Sequence, residues 1–141
     1  MSNKTTRKPP IVIGSQDHER LGLLAASASE RFEAVSAELM AELDRARVMP
    51  QAKLAAGIVR MGSTVTFRTG EDAPKTVTLV FPAKADIEKG RISILTPIGT
   101  ALIGLSEGQS IGWIDRQGRR HELTVETVSQ QAVEDEVGAS A

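Results

Sequence analysis

The spacing of apolar residues changes once along this chain. Up to about residue 50 they recur at helical intervals, and beyond residue 58 they alternate. Ile11-Val12-Ile13 is a short β-type run. Ser15 reads as an N-cap, with Asp17 and Glu19 in the first turn, where carboxylates suit the helix dipole. Leu21, Leu24, Ala25 and Ala28 follow at helical spacing. Ser27 and Glu30 have the Ser-x-x-Glu spacing of a capping box, which predicts a second helix starting there. Its apolar positions Phe32, Val35, Leu39, Leu43 and Ala46 form a seam suited to one partner helix. Arg45 and Arg47 fall near its end and Pro50 limits it, giving a helix of about 20 residues, roughly 30 Å. The two helices make an antiparallel hairpin, a short coiled coil, with a tip at Ser27, Ser29 and Glu30.

The second half reads as strands. Ser63–Arg68 and Thr76–Phe81 alternate, with a turn over Gly70–Pro74 between them. Pro82–Gly90 is a polar loop, and Arg91–Leu95 is a third strand. Ser110–Ile114 and Arg119–Val128 form a last pair joined through Asp115-Arg116-Gln117-Gly118. One short helix interrupts them. Thr96 is a natural N-cap, Pro97 a natural first residue, and Gly104 sits where a left-handed C-cap falls. Ile98, Ala101 and Leu102 share a face of that helix. The expected fold class is α+β: residues 1–10 a flexible arm, 11–50 the hairpin, 51–128 an antiparallel sheet with one short helix, and 129–141 a disordered acidic tail.

Composition narrows the function classes. The chain has 141 residues and no cysteine, which removes disulfides and thiolate chemistry. A formal charge of −1 argues against tight non-specific nucleic-acid binding. No apolar run approaches the roughly 18 residues needed to span a bilayer, so a cytoplasmic protein without membrane contact is expected. Three Phe and one Trp leave few aromatic faces for a ligand pocket.

The stretch Ile92-Ser93-Ile94-Leu95-Thr96-Pro97-Ile98-Gly99-Thr100-Ala101-Leu102-Ile103-Gly104-Leu105, followed by Gly108 and a strand with Trp113, resembles the C-terminal domain of the bacterial Gre transcript-cleavage factors. Ala41-Glu42-Leu43-Asp44-Arg45-Ala46 and Val80-Phe81-Pro82-Ala83-Lys84 resemble the Gre-like regulator of nucleoside diphosphate kinase family, whose hairpin is shortened. The resemblance covers residues 11–128. It implies a helical hairpin on an FKBP-like sheet, and a non-catalytic regulator that binds RNA polymerase near its secondary channel. There it would compete with Gre-type factors and affect nucleoside diphosphate kinase levels indirectly. The implied polymerase contacts are Leu95, Thr96, Pro97, Ile98 and Thr100, with Lys84 and Arg119. No cofactor or metal is implied, DNA or RNA would be met only through the polymerase complex, and the chain is expected to be a monomer.

Departures from the Gre pattern bear on chemistry. Cleavage factors carry acids at the hairpin tip that help hold Mg²⁺, a hard cation needing several carboxylate oxygens. Here Ala26-Ser27-Ala28-Ser29-Glu30 offers one, and the capping box accounts for it. Leu95 stands where cleavage factors often place an acid, which predicts a more apolar contact. An active cleavage factor and an FKBP-like prolyl isomerase are the competing readings; the first lacks the tip acids and the second lacks aromatics.

Several side chains have two readings. Without the family, Thr96 and Pro97 are simply helix caps. Arg116, Arg119 and Arg120 with Lys84 either touch an acidic polymerase surface or nucleic acid, or are solvated turn residues. Glu38, Glu42 and Asp44 read as a polar helix face, His18 and His121 as solvated side chains, and Trp113 as core.

Overall fold

Strand β1 (Val12–Gly14) leads directly into helix α1 (Ser15–Ser27), and a 3-10 turn over Glu30–Phe32 leads into α2 (Glu33–Arg45). These elements come from a computed structural model that describes residues 8–28, 30–70, 72–114 and 117–130. Ser29, Asp115, Arg116, the first seven residues, the acidic tail from 131 and the side chain of Trp113 lie outside the described residues, and the expectations placed on them go with them.

The hairpin forms as its apolar spacing predicts, but its caps differ. Gly14, not Ser15, is the N-cap of α1. The amides of Gln16 and Asp17 instead donate to Gln51 Oε1, at 2.9 and 3.0 Å. Ser27 closes α1, where its hydroxyl donates to Leu24 O, so it is no N-cap for α2. Helix α1, with Leu21 and Ala25 buried, runs up to the first residue of the expected capping box, and Glu30 opens a 3-10 turn instead. Helix α2 consequently has 13 residues rather than about 20, a length of about 20 Å. Arg47 lies beyond it, in strand β2 (Arg47–Met49), which pairs in parallel with β1 through Val12–Arg47, Ile13–Val48 and Gly14–Met49.

The second half contains β3 (Thr64–Thr69), β4 (Lys75–Val80), β5 (Arg91–Ser93), α3 (Pro97–Leu102), β6 (Ser110–Ile114) and β7 (Arg120–Ser129). The sheet order is β5-β4-β3-β7-β6. It is mixed rather than wholly antiparallel, because β5 runs parallel to β4, with Thr78 opposite Arg91 and Val80 opposite Ser93. The loop between them holds two 3-10 turns, Pro82–Lys84 and Ile87–Lys89, and carries the chain back before β5 begins. Val65, Phe67, Leu79, Leu123 and Val125 fill the inner face. The outer face is polar, with hydroxyl pairs Thr64–Thr78 at 2.9 Å and Thr66–Thr76 at 2.8 Å. Strand β7 reaches Ser129, and Gln130 Oε1 accepts from Ser63 Oγ and Arg60 Nε, so order extends past the expected start of the tail.

Hairpin and sheet share one core, in which Leu21, Leu39 and Leu43 meet the inner face of the sheet and Leu102. Two backbone-amide links fix the joint. Met61 N donates to the buried Asp17 Oδ2 at 3.0 Å. Val12 N donates to Gly104 O at 3.1 Å. Lys8 Nζ pairs with Glu42 Oε2 at 2.6 Å, while Arg45 Nη1 donates to Pro9 O at 2.6 Å. Lys8 and Pro9, expected in a free arm, are thus tied to α2. Glu42, expected on the polar face, is buried and also pairs with Arg45 at 2.8 Å. A buried carboxylate needs such partners, since desolvation alone would oppose it. His18 is not solvated either: its Nε2 lies 3.0 Å from Leu43 O and ties α1 to the end of α2.

Candidate partner-binding corner

The implied contact residues surround the start of α3, and local chemistry shapes that corner. Ile94 N donates to Val80 O at 2.9 Å, which continues the β4–β5 pairing one step further. Ser93 Oγ then accepts from Leu95 N at 2.9 Å and turns the chain out of the sheet. Thr96 caps α3 as expected: its Oγ1 accepts from Gly99 N at 3.0 Å and donates to Ser93 O at 2.7 Å. Pro97 takes the first helical position, where no amide is lost. Gly104, one residue past the C-cap, has φ +82°, the left-handed value its position requires.

Only part of the expected set is available to a partner. Thr96, Pro97 and Ile98 are half-buried, with Ile98 also leaning on the core. Lys84 is exposed on the 3-10 turn that packs beside β5. Leu95 and Thr100 are buried, and Thr100 Oγ1 donates to Ile94 O at 2.9 Å. They support the corner from beneath and present no surface, so the expected apolar contact by Leu95 does not fit. Helix α3 is short and covered on more than one side, with Gly99 and Thr100 as buried as Ala101 and Leu102. Arg119 is exposed but precedes β7, at the opposite edge of the sheet from β5 and Lys84.

Sequence reasoning gave Phe81 no contact role. It adjoins the corner through the β4–β5 register, and the Arg20 guanidinium lies 4.5 Å from its ring centroid, joining the hairpin to this surface. At the hairpin end, Glu30 is exposed and opens the 3-10 turn. Beside it Arg31 lies 5.3 Å from the Phe32 ring centroid. Among the described residues no group of three His, Cys, Asp or Glu side chains is placed to hold a metal ion. None of the helices there is long and apolar enough to cross a membrane.

A helical hairpin on a mixed sheet with a Thr-Pro-capped helix is the architecture of a Gre-type transcription factor. Residues 54–130 match the family described as transcription elongation factor, GreA/GreB, C-term, and residues 9–49 match the Rnk N-terminus. The regulator of nucleoside diphosphate kinase of Escherichia coli K12 is 36% identical over 107 residues, which cover 75% of this chain and 79% of that protein. Transcription elongation factor GreA of Cereibacter sphaeroides is 34% identical over 117 residues, 77% of this chain and 74% of the relative. A solved prokaryotic transcription elongation factor GreA/GreB from Nitrosomonas europaea superposes with a TM-score of 0.69 and 36% identity, covering 86% of this chain and 99% of that one. The chain belongs to the regulator of nucleoside diphosphate kinase family of Gre-like transcription elongation factors.

Proposed function

We propose that this protein is a non-catalytic regulator that docks on RNA polymerase at the rim of the secondary channel and competes there with Gre-type factors. Its effect on nucleoside diphosphate kinase levels is then indirect, through transcription. The observation that carries this reading is the contrast between its halves. The GreA/GreB C-terminal unit is matched over residues 54–130, whereas the hairpin arms have 13 residues each and end at Glu30 beside a cation, Arg31. Glu30 and Glu33 are the carboxylates at this end, and with no third acid grouped beside them among the described residues they are a poor ligand set for a second Mg²⁺ in a polymerase. Pro97, Ile98 and Lys84 supply the contact; Thr96 positions Pro97, and Leu95 and Thr100 hold the corner's shape.

Two measurements test it. Lys84→Glu, at an exposed position, is expected to weaken binding to purified RNA polymerase several-fold and to change its salt dependence, with the denaturation midpoint unchanged. Backtracked elongation complexes supplied with the wild-type protein are expected to show no faster transcript cleavage than without it. Clear stimulation of cleavage defeats the non-catalytic reading. Loss of neither affinity nor salt dependence in Lys84→Glu removes the corner as the contact surface.

A further inference from the structure

A shallow groove of about 340 Å³ runs along the hairpin. This volume lies at the small end of the range for small-ligand sites. Its apolar wall is Ala25 and Ala28 from α1 with Ala37 and Met40 from α2. Its polar wall is Glu30, Glu33 and Ser36. Ser36 is 7% exposed, and its hydroxyl has no hydrogen-bond partner among the described residues. A buried hydroxyl without a partner is costly, which sets this one apart from the paired hydroxyls of the sheet. Glu30 and Glu33 are exposed and enter no ion pair among the described residues. The nearest cation in sequence, Arg31, lies against the Phe32 ring. Met40, 40% exposed, is unbranched and can adapt to a chain laid in the groove.

We propose that this groove binds an alkylammonium group. The aliphatic stem would lie along the alanines and Met40, and the ammonium would reach the two carboxylates and the Ser36 hydroxyl. An ammonium carries three donors and no acceptor, which complements three acceptors lining one partly apolar groove. The ligand is either a free polyamine or a lysine side chain of a protein, and the chemistry of recognition is the same. This site is separate from the Thr96–Ile98 corner and does not rest on the polymerase reading.

The test follows Ala and Met methyl resonances of the full chain during titration with n-butylammonium, n-butanol, ammonium and Mg²⁺. Saturable shifts at Ala25, Ala37 and Met40 are expected with n-butylammonium and absent with n-butanol or ammonium. Glu33→Gln and Ser36→Ala should each weaken binding about tenfold. Neither should lower the denaturation midpoint, since Glu33 is exposed and the Ser36 hydroxyl has no protein bond to lose. Titration with 1,4-diaminobutane and with Nα-acetyl-lysine amide, whose ε-ammonium is free, separates the two sources, and tighter binding of either supports the site. No saturable response to any ammonium probe overturns the proposal. So does an equal response to n-butanol, or a response to Mg²⁺ alone.

Discussion

Gly104→Ala tests how tightly the hairpin is seated on the sheet. Gly104 has φ +82°, and its carbonyl accepts from Val12 N. A Cβ built there would lie 2.9 Å from Ile11 Cβ, 3.1 Å from Val12 O and 3.2 Å from Ile13 Cγ1. Two of these three atoms belong to backbone or to a Cβ, which cannot rotate away. The substitution therefore costs about 1–2 kcal/mol for left-handed backbone in a non-glycine residue. Overpacking against β1 adds about 1–3 kcal/mol. Gly62 is an internal control, because it has φ +90° and nothing within 4 Å of its added Cβ. Gly62→Ala should show the backbone cost alone. Urea denaturation followed by far-UV circular dichroism measures both variants, with the slope checked for two-state behaviour. Gly104→Ala is expected to lose at least about 1 kcal/mol more than Gly62→Ala. Equal losses would mean that β1 does not press on Gly104, and that the joint described here is wrong.

Other substitutions probe the polar links. Glu42→Gln should cost about 3 kcal/mol, the low end of the range for a buried pair, because Lys8 is 44% exposed and can rehydrate whereas Arg45 Nη2 is buried and loses its charged partner. Lys8→Met should cost less than about 1 kcal/mol in the same denaturation assay. Asp17→Ala leaves the Met61 amide without its acceptor and should cost about 1–3 kcal/mol, with faster amide exchange at Met61. Glu38 carries a raised pKa: partial desolvation of its carboxyl and repulsion by Glu42 outweigh attraction by Lys8, although the residue as a whole is exposed. A carboxyl with its folded pKa above its unfolded one binds more protons when folded, so its ionisation lowers stability as pH rises through the folded value. Glu38→Gln should therefore stabilise the protein near neutral pH, and the gain should vanish below the ordinary carboxylate range.

Local chemistry was readable where it acts over a few residues. Thr96 and Pro97 cap α3 because N-cap and first-turn preferences involve only near neighbours. Alternation in β3 and β4 exposes one face and buries Val65, Phe67 and Leu79, so it marked those strands directly. Distant partners were not readable. The amides at the start of α1 are satisfied by Gln51, more than thirty positions away, a partner that the local signal of Ser15 does not reveal. The parallel pairings of β1 with β2 and β4 with β5 depend on how whole elements cross, which no local pattern records. Residue type alone places Glu42 on a polar helix face and says nothing of the burial of Asp17. Asp17 and Glu42 are buried because the Met61 amide compensates the first, and Lys8, brought up only by folding, joins Arg45 one turn along α2 in compensating the second. At the corner, spacing identified one buried face of α3 but not the cover over Thr100, nor the retreat of Leu95 into the core.

In the proposed function this protein reaches RNA polymerase through the surface that Gre-type factors use. The most direct measurement is displacement of a fluorescently labelled GreA from purified RNA polymerase by the unlabelled chain, followed by anisotropy. Full displacement at saturation is expected for the wild-type protein, with Lys84→Glu a weaker competitor. Retention of labelled GreA at saturating concentrations of this chain would contradict it.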